Sequence, residues 1–274
     1  MKVESDPTFP ESLAARYDFL QGLAREAGRR ALDFWDHRAA LVVELKGPQD
    51  FVSRADKEVE AYIRRELAAA FPGDGFLGEE TAATFDGAAN RLWIVDPIDG
   101  TTNFLRGIAY WNVSIAYAED GVRMLGAVYD PVQDELFHAR RGAGAWRTGG
   151  GGEQRLAVSG TASLGSAVIA VGHHDRYPEP RYVALRQALM DRCAAFRNFG
   201  SAALQIAHVA AGRLDAFVEL ELSSWDAMAG LLLVEEAGGR VGPFPGPQGL
   251  TARAPVLAAA PGIAAELAEL VARA

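Results

Sequence analysis

The run Arg91-Leu-Trp-Ile-Val-Asp-Pro-Ile-Asp-Gly-Thr-Thr-Asn-Phe104 constrains this chain more than any other. Four apolar residues, Leu92 to Val95, read as a buried strand. The strand is expected to end abruptly at Asp96-Pro97-Ile98-Asp99-Gly100, leaving two carboxylates three residues apart at its end. A Gly-Thr-Thr turn follows at once. Carboxylate oxygens suit a hard cation, and a turn of backbone N–H groups and hydroxyls suits a phosphate-sized anion.

The flanking chain reads as alternating helices and strands. Residues 11 to 38 carry Leu13, Tyr17, Leu20, Leu23, Ala27, Ala31 and Phe34 at helical spacing. Lys46-Gly47-Pro48-Gln49-Asp50 reads as a loop. A second helix is expected from near Asp56 to about Ala70, ended by Phe71-Pro72-Gly73, so Asp56 stands at a helix N-terminus, where a plain capping role would suffice. Trp111 to Ala118 alternates as a strand, Glu119-Asp120-Gly121 is a hairpin turn, and Val122 to Tyr129 returns. A strand near Glu135 to Ala139 and a glycine turn at 149–152 follow. The second half predicts a strand at Ala167 to Val171 and a helix at Pro180 to Arg192. Ser201 caps a helix ending at Ala211, Leu214 to Leu220 is a strand, and a helix opens at Asp226 and closes at Gly238-Gly239. Helices and hairpin-linked strands in one chain imply stacked layers of the α+β class.

Composition excludes several functions. A net charge of -9 with no basic run argues against a general nucleic-acid binder. Cys193 is the single cysteine and has no internal partner, which fits a reducing, cytoplasmic setting. No apolar run follows Met1-Lys2, so no secretory leader is expected, and no stretch is long enough for a membrane span. Adjacent His173 and His174 point to opposite faces of a strand, so His173-His174-Asp175 reads as a polar turn and not a metal site. Glu58, Glu60, Glu235 and Glu236 read as solvated helix faces.

The signature Asp96-Pro97-Ile98-Asp99-Gly100-Thr101-Thr102-Asn103-Phe104 resembles that of the inositol monophosphatase family of metal-dependent sugar phosphatases. Gly78-Glu79-Glu80 upstream and Trp225-Asp226-Ala227-Met228-Ala229-Gly230 downstream match further family motifs in order, and with Lys46 and Asp56 the resemblance spans about residues 15 to 265. It implies a layered αβαβα sandwich, residues 1–274 forming one domain of two subdomains divided near 150. It also implies a homodimer and a small phosphate-ester substrate, while charge and hydropathy lead us to expect no nucleic-acid or membrane partner.

The resemblance implies two or three Mg²⁺ ions per site, with Mn²⁺ as a substitute. Glu79, Asp96, the Ile98 carbonyl, Asp99 and Asp226 are the implied metal ligands. Thr101 and Asp56 resemble the dyad that orients and deprotonates the attacking water, with Glu79 beside them. Gly100 and Thr101 resemble the phosphate-binding turn. Asp99, Gly200, Ser201, Ala202, Glu219 and Asp226 fall where relatives meet the substrate, and Lys46 resembles a mobile-loop lysine. A phosphate monoester hydrolyses extremely slowly unaided, and its charge repels a nucleophile, which is why such a chemistry needs clustered acids and cations. The favoured substrate is myo-inositol 1-phosphate. Histidinol phosphate, fructose 1,6-bisphosphate and a 3'-phosphonucleotide share the chemistry, and a non-catalytic binding protein is the reading from another class.

Overall fold

Two amphipathic helices open the chain, and their apolar faces set the first layer. The computed structural model describes residues 12–38, 43–47, 50–82, 89–173 and 180–273, with the backbone alone at 43–47 and 50–52. Helix α1 (Leu13–Asp36) starts where the Ser12 hydroxyl accepts from the Ala15 amide at 3.2 Å. A hairpin of β1 (Val43–Gly47) and β2 (Asp50–Ser53) follows, so Lys46 and Asp50 lie on strands and not in the expected loop. Helix α2 (Arg54–Ala70) is entered through a capping box. Its cap is Ser53, and Asp56 is the third helical residue, so it stands near the helix N-terminus as the periodicity suggested and takes part in the cap through its side chain.

A seven-stranded sheet comes next. It runs β3 (Gly75–Gly78), β4 (Arg91–Asp99), β5 (Asn112–Glu119), β6 (Val122–Asp130), β7 (Glu135–Arg140), β8 (Ala145–Gly149) and β9 (Gly152–Arg155) in spatial order. Within it only β3 and β4 are parallel; a short helix and the residues to 111 join β4 to β5, and β6 to β9 each return by a short turn. The five-stranded second sheet has the order β11 (Ala195–Arg197), β10 (Val168–Val171), β12 (Ala216–Leu222), β14 (Ala254–Ala259), β13 (Arg240–Val241). Helix α3 (Thr101–Arg106) follows β4. The remaining helices are α4 (Pro180–Asp191), α5 (Ala202–Ala210), α6 (Ser224–Glu236) and α7 (Pro261–Arg273).

Strand alternation stacks these elements. On β4, Trp93 and Val95 pack with Leu20, Val59 and Ile63 of α1 and α2. Leu92 and Ile94 face the other way, against Leu204, Ile206, Leu231 and Leu232 of α5 and α6. Those two helices also cover Phe217, Val256 and Ala258 of the second sheet. The outer face of that sheet, Ile169, Val171 and Val218, meets Leu185, Leu189, Ile263 and Leu267 of α4 and α7. The layers are therefore αβαβα, as the resemblance implied. Gly126 lets α6 come close to β6, since a Cβ there would lie 2.7 Å from the Ala229 carbonyl oxygen.

The α1 face carries one charge into this core. Arg16 donates from Nε and Nη2 to Asp74, both at 3.1 Å, and Trp93 Nε1 also donates to Asp74. The side chains of the pair are 3% and 1% exposed. Three surface readings also change. Glu60 is buried, Glu235 pairs with Arg123 and Arg141, and Glu236 accepts from the Gly142 and Gly144 amides.

Candidate active site

A bulge in β4 brings the two signature acids to one face. Residues three apart on a regular strand point to opposite faces. Here Asp96 pairs with Ser114 and Asp99 with Asn112, so three steps along β4 match two along β5. Pro97, with no N–H for a ladder, falls within the bulge. The Ile98 amide donates to Asp96 Oδ1 at 2.9 Å, while its side chain is fully buried against the α1–α2 layer. The strand thus continues to Asp99 and does not stop at Asp96 as expected.

Helix α6 supplies the third acid. It begins at Ser224, with Ser223 in the cap position, so Asp226 lies within the first turn and does not open the helix. It still benefits from the helix's N-terminal field. Ligand oxygens of Asp96, Asp99 and Asp226 all lie within 4.8 Å of one another. Burial and the nearby acids Glu79, Asp226 and Asp99 push the Asp96 carboxyl well above the usual range. Burial and Asp99 push Asp226 up to about 7. Burial also raises Asp99, but hydrogen bonds from Ser201, Asn112, Ala203 and Ala202 oppose the rise. Crowded oxygen donors with this surplus of negative charge fit a hard divalent cation.

Asp99 is the most tightly held of the three. Its Oδ2 accepts from Asn112 Nδ2 at 2.7 Å, Ser201 Oγ at 2.7 Å and the Ala203 amide at 2.8 Å. Its Oδ1 accepts from the Ala202 amide at 3.1 Å. Ser201 takes the cap position of α5, yet its hydroxyl serves Asp99 and not the helix. Asn112 also donates to Ser201 Oγ at 2.9 Å, which leaves the one hydroxyl proton for Asp99. The Asn112 amide oxygen is buried and has no hydrogen-bond partner among the described residues. Turning the amide over would set that oxygen against Asp99, so the carboxylate fixes its orientation.

Behind the turn stands Asp56, 1% exposed. Its Oδ2 accepts from the Ser53 amide and hydroxyl at 2.8 and 2.7 Å, leaving Oδ1 toward Thr101, whose hydroxyl lies 3.4 Å away. The same hydroxyl donates to the Ile98 carbonyl at 3.1 Å. Burial lifts the Asp56 carboxyl to about 6, against the Ser53 hydrogen bonds. Gly100 adopts φ 94°, and a Cβ would lie 3.1 Å from Ser201 Cβ and 3.2 Å from the Gly200 and Tyr110 carbonyl oxygens, so both conformation and space demand glycine. Glu60 Oε2 accepts from the Glu80 amide at 2.8 Å and so holds the turn that presents Glu79.

A cavity of about 210 Å³ gathers most of the expected site: Glu79, Asp96, Ile98, Asp99, Gly100, Thr101, Gly200, Ser201, Ala202, Glu219 and Asp226. Asp56 touches it through Thr101. Glu79 is outside the close trio but on the cavity wall. Lys46 has its backbone on β1, and its side chain lies outside the described residues, as do His174 and Asp175. His173 lines the cavity and stacks on Tyr182, ring centroids 4.1 Å apart. Glu219 is buried, and burial with Asp226 and Asp99 raises its carboxyl well above the usual range, against Arg253. The sequence reading missed Asn112, Arg253, Gly172 and Gln205. Gly172 makes room for Glu219, since a Cβ there would lie 2.0 Å from Glu219 Oε2. Gln205 accepts from the Phe199 amide and donates to the Ser201 carbonyl, bracing that loop. A lone asparagine, glutamine, arginine or glycine between apolar residues carries no spacing signal, so nothing in one sequence singles these out.

Clustered acids beside a glycine–threonine turn, set between two sheets, define a metal-dependent phosphatase. The chain belongs to the inositol monophosphatase family, whose model matches residues 12–274. It is 43% identical over 237 residues to an inositol-1-monophosphatase of Mesorhizobium japonicum, covering 86% of this chain and 88% of that protein. It is 37% identical over 246 residues to the Nus factor SuhB of Pasteurella multocida, covering 89% and 91%. The solved IMPase of Thermotoga maritima superposes with a TM-score of 0.82 at 34% identity, covering 94% of this chain and 97% of that one. Among the described residues, no helix is long and apolar enough to cross a membrane.

Proposed function

We propose that the protein is a magnesium-dependent hydrolase of small polyol or sugar phosphate monoesters, with myo-inositol 1-phosphate as the foremost substrate. The carrying observation is the convergence of Asp96, Asp99 and Asp226 within 4.8 Å, beside the Gly100–Thr101 turn. Glu79, Asp96, the Ile98 carbonyl, Asp99 and Asp226 would hold the ions. Bound there, magnesium neutralises phosphate charge and makes hydroxide available near neutral pH.

The chain's own groups do the rest. The first amides of α3 would serve the phosphate, where Gly100 permits close approach. Thr101 would orient the attacking water and pass its proton to Asp56, which lies 3.4 Å from the hydroxyl and whose carboxyl is lifted toward neutrality. Asp99 keeps one oxygen lightly loaded for cation or substrate, because its other oxygen already accepts three hydrogen bonds. Glu219 and the 200–202 loop line the cavity and would face the leaving alcohol and select its hydroxyls.

A relative named as a Nus factor supports a second class of reading, a binding protein that shares the fold. The complete acid set favours catalysis here. The test is phosphate release from inositol 1-phosphate, histidinol phosphate, fructose 1,6-bisphosphate and a 3'-phosphonucleotide, with and without Mg²⁺, beside Asp96→Asn. Mg²⁺-dependent release led by inositol 1-phosphate and absent in the variant is expected. Release led by another ester overturns the substrate, and none at all overturns the enzyme reading.

A further inference from the structure

Arg147, Arg155 and Arg213 converge on a second cavity, of about 190 Å³, which shares no described lining residue with the acidic one. It lies where the chain leaves the first sheet, between β8, the end of β9 and the turn after α5. Gln154, Leu156, Ala157 and Ala211 complete its described lining, with no carboxylate among them.

Charge is unbalanced here. Glu135 serves two of the guanidiniums: it accepts from Arg147 Nη1 at 2.6 Å and from both Arg213 Nη atoms at 2.6 Å. Glu135, with Asp130 also near Arg213, offsets these two guanidiniums, so the positive charge in excess is that of Arg155. Arg155 lies 5.9 Å from the Trp146 ring centre and makes no ion pair among the described residues. Arg147 Nε is buried with no hydrogen-bond partner among them. A donor withdrawn from water and left unpaired is costly unless a ligand meets it. Gly144, at φ +84°, leaves room for Arg155, since a Cβ would lie 3.2 Å from its Nε. In a chain of net charge -9 such a cluster is not the background. Guanidinium forks match the paired oxygens of a tetrahedral oxyanion.

We infer that this cavity binds a single phosphate-class oxyanion, either inorganic phosphate or the phosphate group of a small metabolite. The inference stands apart from the phosphatase reading, because it uses none of the same residues. Calorimetric titration of the full chain with inorganic phosphate, in chelator and low salt, reads it directly, since the cation-free acidic cavity repels the anion. Glycerol phosphate, titrated in parallel, separates a free ion from an esterified one.

Saturable binding of one or both is expected. It should weaken about tenfold or more in Arg155→Gln and in Arg147→Gln, and stay unchanged in Asp226→Asn. Arg155 is exposed and outside the ion pairs, so its replacement leaves the fold a fair control. Absence of saturable binding by either probe overturns the inference. So does binding that is equally tight in both arginine variants. Binding of heparin without binding of phosphate also overturns it, in favour of an extended acidic partner.

Discussion

Replacing Asp226 by asparagine should stabilise the cation-free protein while abolishing activity. Burial and Asp99 carry the Asp226 carboxyl from its ordinary 3.8 to about 7. Each tenfold in proton affinity is about 1.4 kcal/mol, so ionising this group in the folded state costs about 4 kcal/mol. The residue opens partly onto the cavity, and water there brings the cost down to about 2 kcal/mol. The folded pKa is raised, so this group's contribution is fully present below about 3.8 and is lost as pH rises through about 7. Asparagine stays neutral throughout. The variant should therefore match the wild type only at or below about pH 3.8, gain on it steadily as pH rises toward 7, and exceed it most at pH 8. With about 2–4 °C per kcal/mol for a chain near this size, the gap at pH 8 should be about 4–8 °C. Thermal melts in chelator between pH 5 and 8 measure it. Added Mg²⁺ should reverse the order, since only the intact acid set gains from the cation. A variant no more stable than wild type at pH 8, or a gap that ignores pH, would refute the electrostatic reasoning.

Other outcomes follow from particular contacts. Asn112→Ala should weaken Mn²⁺ binding about 10–100-fold, since it frees a carboxylate that a neighbour had oriented; a lower melting temperature with unchanged Mn²⁺ affinity would make Asn112 merely structural. Asn112→Asp, alike in shape but without the donor, should be at least as damaging. Arg16→Ala takes the two-pronged partner from buried Asp74 but leaves it Arg91, 3.2 Å away, and the Trp93 donor, so urea unfolding should show a loss of about 1–3 kcal/mol, and no measurable loss would contradict the role of that pair. Gly172→Ala must displace Glu219, and should raise KM for the polyol ester more than it lowers kcat; an unchanged KM would remove Glu219 from the substrate wall.

Much of the fold could be read from periodicity. Leu20, Val59 and Ile63 recur at helical spacing and do line one layer, and Leu92 to Val95 form a strand buried on both faces. Element ends were less legible. Ser53, Ser223 and Ser201 all sit at cap positions, but Ser201 spends its hydroxyl on Asp99, and a cap residue with a competing long-range partner looks the same in one dimension. Glu60 reads as an exposed helical acid because helical spacing alone does not reveal the Glu80 amide twenty residues away.

Residue chemistry along the chain settled what kind of site this is. Acids, a glycine turn and a hydroxyl in that order suit cations and phosphate wherever they fold, because ligand type and backbone freedom are local properties. Tertiary structure decided that these groups act together. Asp96 and Asp99 share a face because β4 carries one residue more than β5 opposite it, and Asp226 joins them because α6 packs across that strand end. Asn112, Gly172 and the three arginines gain their meaning from neighbours distant in sequence. Electrostatic and steric forces act over a few ångströms of space, and only the folded chain assigns those distances.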